Sequence, residues 1–297
     1  MKYRITHRTA YSYSRPVTLC HNEAHLRPRA CNMQTVLEHK LLIEPQTAAY
    51  SERVDFFGNH VAYFAVQQPH TSLVVTAISE VERDTDNGQL HFYSNVCWEE
   101  TVKRVRDQLT PANLEARQYL LDSPMVTASA DIAAYAAVSF PPQRPLVEAV
   151  HDLMERIHSD FTYDPGFTEI ATPLQAVFEH RRGVCQDFAH LGIACLRSLG
   201  LAARYVSGYL ETLPPPGQTK QPGADESHAW FSVYLPDVGW HDFDPTNNQV
   251  PLDQHITTAW GRDYADVAPL KGVIFGGDAV ASNAPCFPRP ITRTSGR

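Results

Sequence analysis

The sequence predicts an α+β protein, in which an antiparallel β-sandwich domain precedes a core built from a helix packed on an antiparallel sheet. Three observations predict this. The first 100 residues carry short β-branched and aromatic runs separated by turn residues, and composition shifts toward Ala, Leu, Arg and Gln from residue 101 onward. A single long apolar helical pattern, residues 185 to 199, is then followed by three strand-like segments.

The elements follow in order. Runs at residues 11–13, 36–43, 61–66 and 73–81 read as strands, with turn signals at Gly58-Asn59, Pro69-His70 and Asp86-Asn87-Gly88. Residues 1–100 are therefore expected to form a β-rich domain, whose dispersed histidines His7, His21, His25, His39, His60 and His70 suggest no catalytic grouping, although one of them could line an inter-domain cleft. Residues 101–144 read as a helical linker region, broken by Ser139-Phe140-Pro141-Pro142-Gln143-Arg144-Pro145. Proline at a first helical position then suits a fresh helix over residues 145–158, with Leu146, Val150, Leu153 and Ile157 on one face. A short helix begins at Thr172-Pro173-Leu174, and the helix from Cys185 repeats Phe188, Leu191, Cys195 and Leu199 along one side until Gly200 stops it. Strands are expected at residues 202–210, 229–235 and 239–243, within a core spanning residues 145–285, leaving 286–297 as a carboxyl-terminal tail.

At 297 residues the chain exceeds one ordinary domain of about 150, which favours two domains with ample core. An apolar content of 43% with 20% charged residues suits a folded globular chain rather than a disordered one. The net charge of -8 argues against a nucleic-acid partner, because phosphate binding needs a basic surface. The first eight residues alternate polar and apolar and resemble no signal peptide, and no run of about 18 apolar residues occurs, so a cytoplasmic location without a membrane partner is expected. The six cysteines, Cys20, Cys31, Cys97, Cys185, Cys195 and Cys286, lack close pairing and read as reduced thiols.

Three separated pieces carry candidate chemistry: Gly183-Val184-Cys185-Gln186-Asp187, Ser227-His228-Ala229-Trp230, and Phe243-Asp244-Pro245-Thr246. Cys, His and Asp in this order are the inventory of a thiol nucleophile, its base and the group that orients the base. Cys185 stands at a helix start, where unpaired amides and the positive dipole end favour a thiolate and face a developing oxyanion. His228 opens an apolar strand, and Asp244 ends the next one before Pro245 stops the ladder, so adjacent antiparallel strands would bring the two together. Taken singly, a cysteine at a helix start or a histidine beside tryptophan is more often structural. Cys195, between Ala194 and Leu196, is the internal comparison and reads as core.

Arg182-Gly183-Val184-Cys185-Gln186-Asp187-Phe188-Ala189-His190, the stretch at residues 199–209, Ser227-His228-Ala229-Trp230, Gly239-Trp240-His241-Asp242-Phe243-Asp244-Pro245-Thr246 and the stretch at residues 261–269 together resemble the bacterial transglutaminase-like cysteine peptidase family. The amino-terminal half is similar to the β-rich domain that commonly precedes its core. The resemblance implies a papain-like core with Cys185 as nucleophile, His228 as base and Asp244, the residue before Pro-Thr, as orienter, in preference to Asp242. Gln186 and Tyr163 are the candidates for a second oxyanion donor or cleft residue, though a helix-surface Gln and a packed Tyr are the simpler readings. Asp225 and Glu226 read as loop charges; Arg262, Asp263 and Tyr264 could line the cleft or brace the loop after Asp244, a structural salt bridge being the simpler account; and residues 214–223 read as an exposed loop, a candidate lid or substrate-selecting edge for which a solvated connection is the simpler reading.

The implied function is cysteine-dependent acyl transfer on a peptide, isopeptide or other amide substrate, with no cofactor and no metal. Water as acceptor makes the enzyme a peptidase or amidase and an amine makes it a transglutaminase; hydrolysis is preferred because nothing resembles the calcium loops of animal crosslinking enzymes. A non-catalytic binding or assembly module is the reading from a different class. A zinc hydrolase is disfavoured by the lack of His-Glu-x-x-His or paired Cys-x-x-Cys spacing.

Overall fold

A computed structural model describes residues 1–31, 33–84, 96–211 and 227–276, with the backbone of a last strand at 289–294. The expected turn at residues 86–88, the loop at residues 214–223, Asp225, Glu226 and Cys286 lie outside the described residues.

The first sheet is organised by β1 (Lys2–Ala24), with β2 (Gln34–Glu44), β3 (Ala49–Val54), β4 (His60–Val66) and β5 (His70–Arg83) in the antiparallel order β2-β5-β1-β4-β3. Residues 2–12 of β1 pair with β5, and residues 20–24 pair with β4. The register shifts between Ser12 and Val17, around Pro16, which has no N–H to donate. Side chains from both halves then meet, so that Val17 and Cys20 pack with Phe64, Val66, Leu73 and Val75 in one buried cluster.

Three helices, α1 (Trp98–Asp107), α2 (Pro111–Arg117) and α3 (Ala130–Ala137), replace the continuous helical region read from composition. The breaks are local chemistry: Thr110 caps α2 by accepting from the Asn113 N–H, Pro111 occupies its first turn, and Ser129 caps α3 by accepting from the Ile132 N–H. α4 (Leu146–Asp160) starts one residue after Pro145 and buries Leu146, Val150, Leu153 and Ile157, each contributing about 1.5–3 kcal/mol of apolar burial. β6 (Thr162–Tyr163), α5 (Leu174–His180) and β7 (Arg182–Gly183) lead into α6 (Cys185–Ser198), and β6 and β7 pair in parallel. α6 is buried on every side from Asp187 to Arg197, the burial of a central helix.

The second sheet is antiparallel in the order β10-β9-β8-β11, from β8 (Ala203–Leu210), β9 (Ser227–Leu235), β10 (Gly239–Phe243) and β11 (His255–Gly261). α6 packs on the face carrying Ala203, Tyr205, Ala229, Phe231 and Val233. β11 is an edge strand of that sheet, and the first domain occupies its hydrogen-bonding groups. The Gln34 amide exchanges bonds with the Thr257 backbone at 2.7 and 2.9 Å, and the Asn59 amide does so with Trp260 at 2.9 and 3.0 Å. Tyr3, Ile5 and Val81 pack with Tyr209 and Ile256 beside this seam.

After α7 (Tyr264–Val267), the chain returns to the first sheet: β12 (Leu270–Gly276) and β13 (Arg289–Thr294) both pair with β1. This differs from the sequence reading, which assigns residues up to 285 to the core and 286–297 to a tail. β1 is long enough to offer an edge to both, and partners so distant in sequence leave no local pattern to read. No helix among the described residues is long and apolar enough to cross a membrane.

Candidate active site

Cys185 is the first residue of α6 and is half buried. Asp187 sets this helix start. Its Oδ2 accepts from the Val184 N–H and the Thr168 hydroxyl, both at 2.8 Å, which secures the turn that presents the thiol. Gly183 is required by close approach: a Cβ there would lie 2.8 Å from the Asp187 Cβ. The pairing of Tyr163 with Gly183 fixes the approach from the other side.

His228 is the second residue of β9, and Asp244 follows β10 directly. The β9–β10 register, Phe243 opposite Phe231, leaves Asp244 diagonal to His228 on neighbouring strands. Their side chains meet: His228 Nε2 donates to Asp244 Oδ2 at 2.8 Å. The same imidazole also interacts with the Cys185 thiol, so it couples carboxylate and thiol. Gly208 faces His228 across β8, where a Cβ would lie 2.7 Å from the Trp230 ring and 2.1 Å from the Ile256 carbonyl oxygen. Only glycine leaves room here for the Trp230 ring, whose centre lies 6.1 Å from that of the imidazole.

Asp244 is fully buried and accepts four further hydrogen bonds. Oδ2 accepts from His255 Nε2 at 3.0 Å and Asn247 Nδ2 at 2.8 Å, and Oδ1 from the backbone N–H of Thr246 and Asn247 at 3.0 and 3.2 Å. Burial alone would raise this carboxyl, but bonds from His228 and His255 outweigh it and hold it well below the usual carboxylate range. Burial likewise opposes charge on His228, yet its bonds to Asp244 and Cys185 raise it to about 10. Because that value lies above the unfolded one, the ion pair's stabilisation is complete below about pH 6.5 and is lost as pH climbs through about 10. A cationic imidazole beside a thiol favours the ionised, nucleophilic sulfur.

The other candidates fall elsewhere. Asp242 accepts a short bond from the Ser232 hydroxyl and does not touch His228 in any described contact, so the two acids of this strand have separate partners. Gln186 turns its amide to the Ile170 carbonyl at 3.4 Å, and Tyr163 is 47% exposed with its ring edge toward Phe188. Cys195 is fully buried, and burial pushes its thiol up to about 12, which fits its reading as core. Arg262 pairs with Asp266 through two bonds of 2.9 Å, while Asp263 caps α7 and accepts from the Met125 N–H at 2.8 Å. The brace therefore ties α7 to the segment before α3 and not to the loop after Asp244.

Sequence reasoning missed His255 and Asn247, both bonded to Asp244. Asn247 carried a signal, since an aspartate followed by Pro-Thr-Asn can close an Asx turn on its own backbone. His255 carried none, because it reaches the site through the pairing of β11 with β8. His228, Asp244 and His255 also bring their donor atoms within 4.8 Å of one another, a spacing that could hold a metal ion. In the described geometry both Nε2 atoms are already committed to the carboxylate.

Two further histidines bear on pH. His190 on α6 accepts the Tyr264 N–H at 3.1 Å, and His7 meets the Tyr209 hydroxyl across the domain seam at 3.1 Å; burial lowers both rings to about 4. Free imidazole titrates near about 6.5, so below that pH the unfolded chain binds protons the folded chain refuses, and stability is expected to fall from about pH 6.5 toward 4. His190→Gln keeps the acceptor and should flatten this acid limb; urea midpoints at about pH 7 and 4.5 measure it, and an unchanged limb would exclude His190 as a source.

Residues 3–82 match the Bacterial transglutaminase-like N-terminal region, and residues 134–245 match the Transglutaminase-like superfamily. An uncharacterised protein of Mycobacterium tuberculosis (strain ATCC 25618 / H37Rv) is 43% identical over 278 residues, covering 92% of this chain and 88% of its own. The chain belongs to the transglutaminase-like superfamily. A crystal structure of a candidate cysteine protease from Cytophaga hutchinsonii shares this fold, with TM-score 0.70 over 98% of both chains at 20% identity. A protein-glutamine gamma-glutamyltransferase of Pseudomonas aeruginosa is 32% identical over 106 residues, 34% of this chain and 16% of its own. Among transglutaminase-like chains this one therefore has similar proteins named for protease and for transferase activity.

Proposed function

We propose that this protein is a cysteine-dependent acyl-transfer enzyme acting as a peptidase or amidase, with Cys185 as nucleophile, His228 as acid and base, and Asp244 as the residue that orients His228. The observation that carries the reading is the His228 ring bonded to the Asp244 carboxylate and coupled to the Cys185 thiol at the first residue of α6. In the forward step the thiolate attacks an amide carbonyl, and backbone N–H groups at the α6 start donate to the oxyanion. The imidazolium then gives its proton to the departing amine, the C–N bond breaks, and a thioester remains on Cys185. Water, deprotonated by His228, attacks the thioester, releasing the carboxylic acid and restoring the thiol and imidazole pair. Asp244 keeps its charge throughout, stabilising the cation and fixing the ring's orientation.

A primary amine in place of water would make the reaction a transglutamination, and the similarity to the Pseudomonas aeruginosa transferase supports keeping that reading second. The test is a peptide library that includes glutamine and isopeptide bonds, incubated in ¹⁸O-water with and without a primary amine and read by mass spectrometry. Peptidase or amidase action gives ¹⁸O-labelled acids that Cys185→Ala protein does not form. Amine adducts in preference to acids would establish the second reading, and neither product from any amide would remove both in favour of a binding module.

A further inference from the structure

A cavity of about 500 Å³ lies between the second sheet and the first domain, and none of its walls belongs to Cys185, His228 or Asp244. Arg204 of β8 and Arg83 of β5 both line it, although they are only 7% and 6% exposed. Burying a guanidinium is costly unless oxygen acceptors or counter-charges replace its water. Arg204 lies flat between two indoles, 4.3 Å from the Trp240 ring centre and 3.8 Å from that of Trp260, and its Nε is buried with no hydrogen-bond partner among the described residues. Arg83 gives one short bond to the Leu252 carbonyl, and its Nε is buried without a partner. Asp242 faces both cations, with its Oδ1 taken by Ser232, and Asp253 also acts on Arg83. Burial lowers Arg204 only to about 10, so it stays charged at neutral pH. The remaining wall is largely apolar, including Val147, Val206 and Phe243.

We propose that this cavity is a binding site for a small organic oxyanion, whose carboxylate or phosphate is held by Arg204 and Arg83 and whose apolar body lies against Trp240 and Val147. Planar guanidinium forks match such oxyanions with paired N–H donors, and the indoles keep the Arg204 fork in place before the ligand arrives. A volume of this size suits a compact metabolite and not a polypeptide.

The test uses full-length Cys185→Ala protein, so that failure of the acyl-transfer reading cannot affect the result. Inorganic phosphate, phenyl phosphate and benzoate are titrated by tryptophan fluorescence and by thermal shift, because Trp240 and Trp260 border the cavity. Saturable binding of phenyl phosphate or benzoate with Kd below about 1 mM is expected, weakened at least about tenfold in both Arg204→Gln and Arg83→Gln. The better of phenyl phosphate and benzoate identifies the head group, and tighter binding than inorganic phosphate supports the apolar subsite. Should Arg204→Gln fail to fold, Arg83→Gln decides alone. Binding by none of the three probes, or binding that ignores the substitution of the foldable variants, overturns the proposal.

Discussion

Replacing Asp244 with Ala is expected to destabilise the protein by about 3–5 kcal/mol, the cost of breaking a buried charge cluster by removing one partner. The carboxylate is completely buried and accepts from two imidazoles, one carboxamide and two backbone amides, so its loss strands five donors at once. Asp244→Asn preserves the volume and can still accept at Oδ1 from the Thr246 and Asn247 N–H groups, so it should lose less stability. It should nevertheless uncouple His228, whose raised pKa depends on the carboxylate. Urea unfolding of both variants, with His228 followed by NMR titration, measures the two effects separately. An Asp244→Ala variant as stable as the parent would mean that the cluster is not held as described.

Removing the thiol should have the largest effect on chemistry. Cys185→Ala is expected to lower acyl-transfer turnover by on the order of 10⁴-fold or more, because nucleophile and base act as a unit and loss of either disables both. The same change should move Tm by no more than about 2 °C, since the residue is half buried and contributes to packing only at the rim of the core. Parallel assays of turnover and thermal unfolding check this contrast. Cys195→Ala should behave oppositely, because that thiol is enclosed within α6's packing and its deletion leaves a cavity.

The parts legible in the sequence are those governed by local pattern. The α6 boundaries, the β10 strand and the buried face of α4 follow from apolar periodicity and from stops at Gly200 and Pro245. The setting of Cys185 was readable for the same reason, since Gly183 and Asp187 form a helix-start motif within five residues. What was not legible depends on partners distant in sequence or on the absence of apolar alternation. β3 is exposed at all six positions and presents no pattern, while β1 runs through Pro16 and alternates too weakly to be read as one strand. His255 reaches Asp244 only through the pairing of β11 with β8, while β12 joins β1 and Gln34 and Asn59 cover the β11 edge only because the two domains dock. The two arginines of the cavity were equally hidden, for Arg83 and Arg204 lie 121 residues apart and nothing near either announces the other.

The central claim is that His228, oriented by Asp244, activates Cys185. The most direct measurement is the rate of iodoacetamide alkylation of each thiol between about pH 5 and pH 9, with peptide mapping, in the parent protein and in His228→Ala. Cys97 and Cys31, also partly exposed, serve as internal references. The account predicts that near neutral pH Cys185 is alkylated well ahead of both, and that His228→Ala slows it by about 10²-fold without changing the reference rates. Alkylation of Cys185 no faster than Cys97, and indifferent to the loss of His228, would contradict it.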